Sequence, residues 1–183
     1  MNRTANRRRN SMGFTLVEAC IAMGITATLL SQAVPAMTRM RHEQQLRGAS
    51  EVLATDLRLA RSEAMRIGRS VFFRISGKGA NACYLLHTGA RNDCDCAGGQ
   101  ASCPAPGSTV LRAEWLPAGQ SLHLSSNVET MQFEHVRGLV TPTGTIEVSL
   151  DDGRAIHQVV AITGRVRSCS AGNARFAGMP KCA

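Results

Sequence analysis

Two hydrophobic patterns divide the chain. From residue 14 to residue 37 nearly every position is apolar or small, and Glu18 is the one charge. From residue 42 to residue 67 apolar side chains recur in steps of three and four, at Leu46, Ala49, Leu53, Leu57, Ala60, Ala64 and Ile67, which is one face of an α-helix. The other face is charged: Glu43, Arg47 and Glu51 lie four apart, so they can pair across successive turns and need not serve a ligand. The spacing predicts one helix of about 50 residues from Phe14 onward, with Gly68 as its stop. Beyond Gly68 the helical period disappears. Short runs at residues 70–76, 82–87, 110–116, 121–124, 131–135, 146–150 and 156–167, separated by Gly, Pro, Asn and Asp, read as strands. Asp152-Gly153 between two of these runs is a hairpin signal, and residues 89–108, rich in Gly, Ala, Pro and Cys, read as a loop. The predicted class is α+β, a long N-terminal helix on an antiparallel sheet.

Charge adds an asymmetry to this outline. The formal net charge of +8 over 183 residues is regional: residues 2–13 contribute +4, residues 39–75 +4 and residues 164–183 +4, whereas residues 14–38 contribute −1 and residues 76–163 −3. Aromatic residues at 4% are too sparse for a base-stacking platform. No G-x-S-x-G, P-loop, H-E-x-x-H or G-x-G-x-x-G string occurs. The five histidines are scattered and Asp151-Asp152 belongs to a turn, so neither an enzyme nor a cofactor is expected.

The apolar run of 24 residues would make a helix about 36 Å long, enough to cross a bilayer. It follows Arg3, Arg7, Arg8 and Arg9 and has no A-x-A-like cleavage site after it. Cations before the span hold that flank in the cytoplasm and send the remainder across the membrane. Glu18 is out of place here, because a carboxylate in hydrocarbon costs about 2.5–3.5 kcal/mol. The string Gly13-Phe14-Thr15-Leu16-Val17-Glu18 resembles the class III signal of type IV pilins and pseudopilins. That resemblance implies a leader at residues 1–13, cleavage after Gly13 by a prepilin peptidase, N-methylation of Phe14, and pairing of the Phe14 amine with Glu18 of a neighbouring subunit. It also implies a membrane half of the helix at residues 14–38, weakened at Pro35, an amphipathic half at residues 39–68, and a periplasmic β-sheet domain at residues 69–183. Gly138-Leu139-Val140-Thr141-Pro142-Thr143-Gly144 and Ile162-Thr163-Gly164-Arg165-Val166-Arg167 are similar to strings of the GspH/FimT family of minor pilins and pseudopilins, and within it to the FimT group, whose competence-associated members bind DNA through a C-terminal G-R-x-R motif.

Seven cysteines fit an oxidising compartment. Cys20 lies in the apolar run and reads as an inert thiol. Cys94 and Cys96 project oppositely in extended chain, so each is expected to pair with Cys83 or Cys103, leaving Cys169 with Cys182. A bridge across that short tail loop is worth about 3 kcal/mol by chain entropy. Zinc is not expected, since Cys94, Cys96 and Cys103 lack the usual C-x2-4-C spacing. Residues 164–183 carry Arg165, Arg167, Arg175 and Lys181 and no acid. Cations of this kind supply nonspecific contacts to phosphates, or else solubilise an edge strand. The resemblance therefore implies a minor type IV pilin that binds double-stranded DNA through its backbone and supports DNA uptake, or a structural minor subunit of a pilus or type II secretion pseudopilus. Other pilins, prepilin peptidase and the inner membrane are its implied partners.

Overall fold

The computed structural model describes residues 14–77, 81–116, 121–172 and 175–182; the leader, with Gly13, lies outside them. Among the described residues, one α-helix, α1 (Leu16–Ile67), is followed by nine strands, and the chain divides into two units, Met1–Arg41 and His42–Ala183.

In the first unit α1 begins on a cap. Thr15 accepts a hydrogen bond from the Glu18 amide at 3.3 Å through its hydroxyl, and the Thr-x-x-Glu spacing is that of a capping box. The helix runs through Pro35 without interruption. Its hydroxyls are satisfied locally: Thr26 donates to the Ala22 carbonyl at 2.6 Å, Thr28 to Ile25 at 2.8 Å and Thr38 to Pro35 at 2.9 Å. Such bonds remove much of the cost of placing hydroxyls in an apolar medium. By length and composition this stretch can cross a membrane.

In the second unit α1 supplies one wall of the core. Leu46, Leu53, Leu57, Ala60 and Ala64 are fully buried, as the three-and-four spacing requires, and Gly68 ends the helix with φ of 65°. Five antiparallel strands form one sheet, in the order β3 (Val110–Trp115), β2 (Cys83–His87), β1 (Val71–Ser76), β5 (Thr130–Phe133) and β6 (Val140–Thr141). Four form a second, in the order β4 (Leu122–Ser126), β7 (Gly144–Leu150), β8 (Ala155–Val160) and β9 (Val166–Ala171). Phe73, Leu86, Met131 and Phe133 from the first sheet and Leu124, Ile146, Val148 and Ile156 from the second join the helix residues in a single core.

Polar pins fix the helix against both sheets. Asp56, 2% exposed, accepts hydrogen bonds from the Tyr84 hydroxyl and from Arg112 Nε, each at 2.7 Å. Burial first, and then the Asp56 carboxylate, push the Tyr84 phenol above its ordinary range. Gln158, fully buried, donates to the Ser50 hydroxyl at 2.7 Å and accepts from Ser168 at 2.8 Å, tying α1, β8 and β9 together.

The structure differs from the expectations first in having two sheets instead of one. The run at 156–167 is not one strand but the hairpin of β8 and β9, because the chain reverses at residues 161–164. The last strand also runs past its expected end: residues 166–171 form β9, and the end of the chain folds back along it. The Ser170 amide donates to the Pro180 carbonyl at 2.8 Å and the Cys182 amide to the Ser170 carbonyl at 3.1 Å, while Phe176 enters the core.

Candidate functional site

β8 is flanked by two turns of the same construction. In the first, between β7 and β8, the Leu150 amide donates to the Arg154 carbonyl at 2.9 Å and the Gly153 amide to the Leu150 carbonyl at 3.0 Å. In the second, between β8 and β9, the Ala161 amide donates to Arg165 at 3.0 Å and the Gly164 amide to Ala161 at 2.8 Å. Each places a glycine in the left-handed region, Gly153 at φ of 83° and Gly164 at 73°, as a three-residue hairpin loop with a bulge demands. Each is followed directly by an arginine.

The two arginines meet different surroundings. Arg154 donates to Asp152, whose carboxyl it holds below its ordinary range, and also faces Glu43 at 3.7 Å. Arg165 follows Ile162-Thr163-Gly164, is exposed, and enters no ion pair among the described residues. Arg167, two residues on in β9, is likewise exposed, and alternation along extended chain turns it to the same side. Sequence position alone brought Arg175 and Lys181 into the same group. Both are exposed, and Lys181 bridges to Ser170 on the far half of β9.

What holds the tail is a cluster around Phe176. The guanidinium of Arg47 lies 5.2 Å from the Phe176 ring centroid, a cation–π distance; it also donates to the Ala177 carbonyl at 3.3 Å and pairs with Glu43. Cys169 and Cys182 are joined, as are Cys83 with Cys96 and Cys94 with Cys103, and Cys20 is free. His157 comes within 4.8 Å of Cys169 and Cys182, but sulfurs committed to a disulfide offer no thiolate to a metal. The His157 ring instead meets Glu147 at 2.8 Å.

Arg61 of α1, which the sequence reading did not single out, packs against the second turn. A Cβ on Gly164 would stand 2.8 Å from Arg61 Cδ and 2.8 Å from the Gly138 carbonyl oxygen, and a Cβ on Gly138 would stand 2.8 Å from Arg61 Nε. Glycine at 138 and at 164 leaves the room this side chain occupies. The signal was available in the two glycine-bearing strings, whose shared neighbour only the fold reveals.

The family model described as "Type II transport protein GspH" matches residues 49–165, from the core half of α1 through the β8–β9 turn. The chain belongs to the GspH family. The match takes in Gly138, Gly164 and Arg165 and stops short of Arg167, Arg175 and Lys181, so GspH membership does not speak for the disulfide-closed tail. In fold the chain is similar to two crystal structures of the type IV minor pilin FimU of Pseudomonas aeruginosa PAO1. One, in space group P21, is 23% identical with a TM-score of 0.48, over 68% of this chain and 88% of that one. The other, in P65, is 22% identical with a TM-score of 0.47, over 67% and 91%. None of the curated proteins matches the sequence significantly.

Proposed function

We propose that this GspH-family chain is a minor type IV pilin that binds double-stranded DNA and serves DNA uptake. In this reading residues 14–38 anchor it in the inner membrane, prepilin peptidase cleaves after Gly13, Phe14 is N-methylated, and Glu18 pairs with the Phe14 amine of a neighbouring pilin in the fibre. The domain from residue 69 onward is periplasmic until assembly.

The observation that carries the DNA reading is the contrast between the two turns. Where the first turn neutralises its arginine with Asp152 and Glu43, the second has no acid and leaves Arg165 exposed beside Arg167. Arg is suited to phosphate by its planar, permanently charged fork, and Arg175 and Lys181 extend the cationic surface along a tail that the Cys169–Cys182 bridge and Phe176 hold in place. Contacts of this type read the backbone and not the bases.

The test is duplex binding by the detergent-solubilised full chain across a salt series. Changing Arg165→Gln and Arg167→Gln together is expected to weaken binding and make the log–log salt dependence shallower by about 1.8, at about 0.9 per phosphate contact. An unchanged slope, with full transformation in a competent host, would leave the second reading. That reading is a structural minor pseudopilin without DNA binding, favoured by the type II transport description of the family, and a secretion defect on deletion would support it.

A further inference from the structure

Arg61, Gly138 and Gly164 bring two separate loops to one point. The loop between β5 and β6 contributes Gly138 and the β8–β9 turn contributes Gly164, both with positive φ, 64° and 73°, and the stem of Arg61 fills the space between them. The loops are also bonded directly, the Val140 amide donating to the Ile162 carbonyl at 2.8 Å. The residue before Gly138 is Arg137 and the residue after Gly164 is Arg165, and both are exposed. The Arg61 side chain and the backbone neighbours of two exposed arginines, from three elements, therefore meet at one corner. Arg61 Nε is buried and has no hydrogen-bond partner among the described residues. Glu134, the acid of the same loop, forms no ion pair among those residues either. A buried face of a cation with no counter-charge is costly unless an anion completes it.

We propose that this corner is a phosphodiester site. Arg137 and Arg165 contact the DNA backbone from two loops. Arg61 is the positioning residue that keeps the loops together and holds a fixed positive charge beneath them. The inference rests on the DNA-binding reading and extends it to a second loop and to α1. Arg167 continues the row from Arg165, and an open row of exposed cations suits a chain of phosphates better than one small anion.

Salt-dependent duplex binding by the detergent-solubilised full chain tests this, with Arg154→Gln as the one-charge control, since Arg154 stands at the other end of β8. Arg137→Gln is expected to lower the salt slope by about 0.9, and Arg154→Gln to leave it unchanged. Arg61→Met keeps the stem and removes the charge, so binding should weaken several-fold; Arg61→Lys should restore it, which a purely structural stem would not require. If Arg61→Met melts early, Arg137→Gln still decides. Should Arg165→Gln with Arg167→Gln weaken binding while Arg137→Gln and Arg61→Met match the wild type, the corner is wrong and the DNA reading stands. Absence of salt-dependent binding by the wild type sinks the DNA reading itself. Inorganic phosphate at matched ionic strength should not displace the duplex; displacement at micromolar phosphate would make this a small-anion site and overturn the proposal.

Discussion

Replacing Gly164 with alanine separates two costs that are usually confounded. Gly153 and Gly164 occupy equivalent places in the two turns around β8 and share a positive φ, but a Cβ at Gly153 meets nothing within 4 Å, while one at Gly164 meets Arg61 Cδ and the Gly138 carbonyl at 2.8 Å each and Arg61 Nε at 3.0 Å. For Gly153→Ala only the backbone term remains, about 1–2 kcal/mol, partly offset by about 0.4–1 kcal/mol from the stiffer unfolded chain. Gly164→Ala adds overpacking of about 1–3 kcal/mol, because a carbonyl oxygen cannot swing aside. We expect net losses of about 1 and about 3 kcal/mol, which for a domain of this size lower Tm by about 2–4 °C and about 6–12 °C. Thermal unfolding of the full chain in mild detergent can be followed by fluorescence of the single tryptophan, Trp115. Arg61→Ala removes two of the three contacts, so in that background Gly164→Ala should cost less, by about 1 kcal/mol, without becoming free. Equal Tm losses for the two glycine variants would refute the packing argument.

Asp56→Ala strands the buried Tyr84 hydroxyl and frees Arg112, and should cost about 2–3 kcal/mol in the same melts, since Arg112 is half exposed and can turn to water; Tyr84→Phe in the Asp56→Ala background should recover part of it. Asp93 is held below its ordinary range by the Ser108 hydroxyl first and the Ala90 amide next. A depressed folded pKa gives stability that is present above the unfolded carboxyl value and lost as pH falls through the folded one, so Asp93→Asn should flatten the acid limb of stability against pH and leave the neutral range unaltered in slope. Glu18→Ala should permit membrane insertion while reducing incorporation into fibres, judged by the protein content of sheared fibres. Mass spectrometry of the same material should find Phe14 as the N-terminus, and recovery of the Arg-rich leader would contradict the processing.

The sequence disclosed most where one residue type has one physical use. The buried face of α1 followed from Leu46, Leu53, Leu57, Ala60 and Ala64 at helical spacing, and the β7–β8 hairpin from Asp152-Gly153. The β8–β9 turn uses the same geometry with Ile162-Thr163 before its glycine. Those two residues have strand propensity, so the run looked continuous although Gly164 carried the same backbone signal. β6, at two residues, is too short for any periodicity. The division of the strands into two sheets depends on pairings such as β1 with β5, which local pattern does not encode. At the site, Arg165 and Arg167 were legible as charges without acids nearby. Arg61 was not, because its surroundings come from residues more than seventy positions downstream.

The bonds that residues 180–182 make to Ser170 have a consequence for how copies of this chain can meet. β9 is the outermost strand of its sheet, and an outermost strand invites another chain to add itself through main-chain hydrogen bonds. Here the protein's own C-terminal segment already occupies the later half of that edge and is locked there by Cys169 and Cys182. Among the described residues, no edge partner meets the short stretch at residues 166–168, which bears Arg167. An incoming strand would find too few main-chain groups to hold and a like charge on any identical copy. Copies of this chain are thus kept from fusing sheet to sheet at this border, and any contact made here is left to side-chain surfaces, which can be undone without unzipping a backbone.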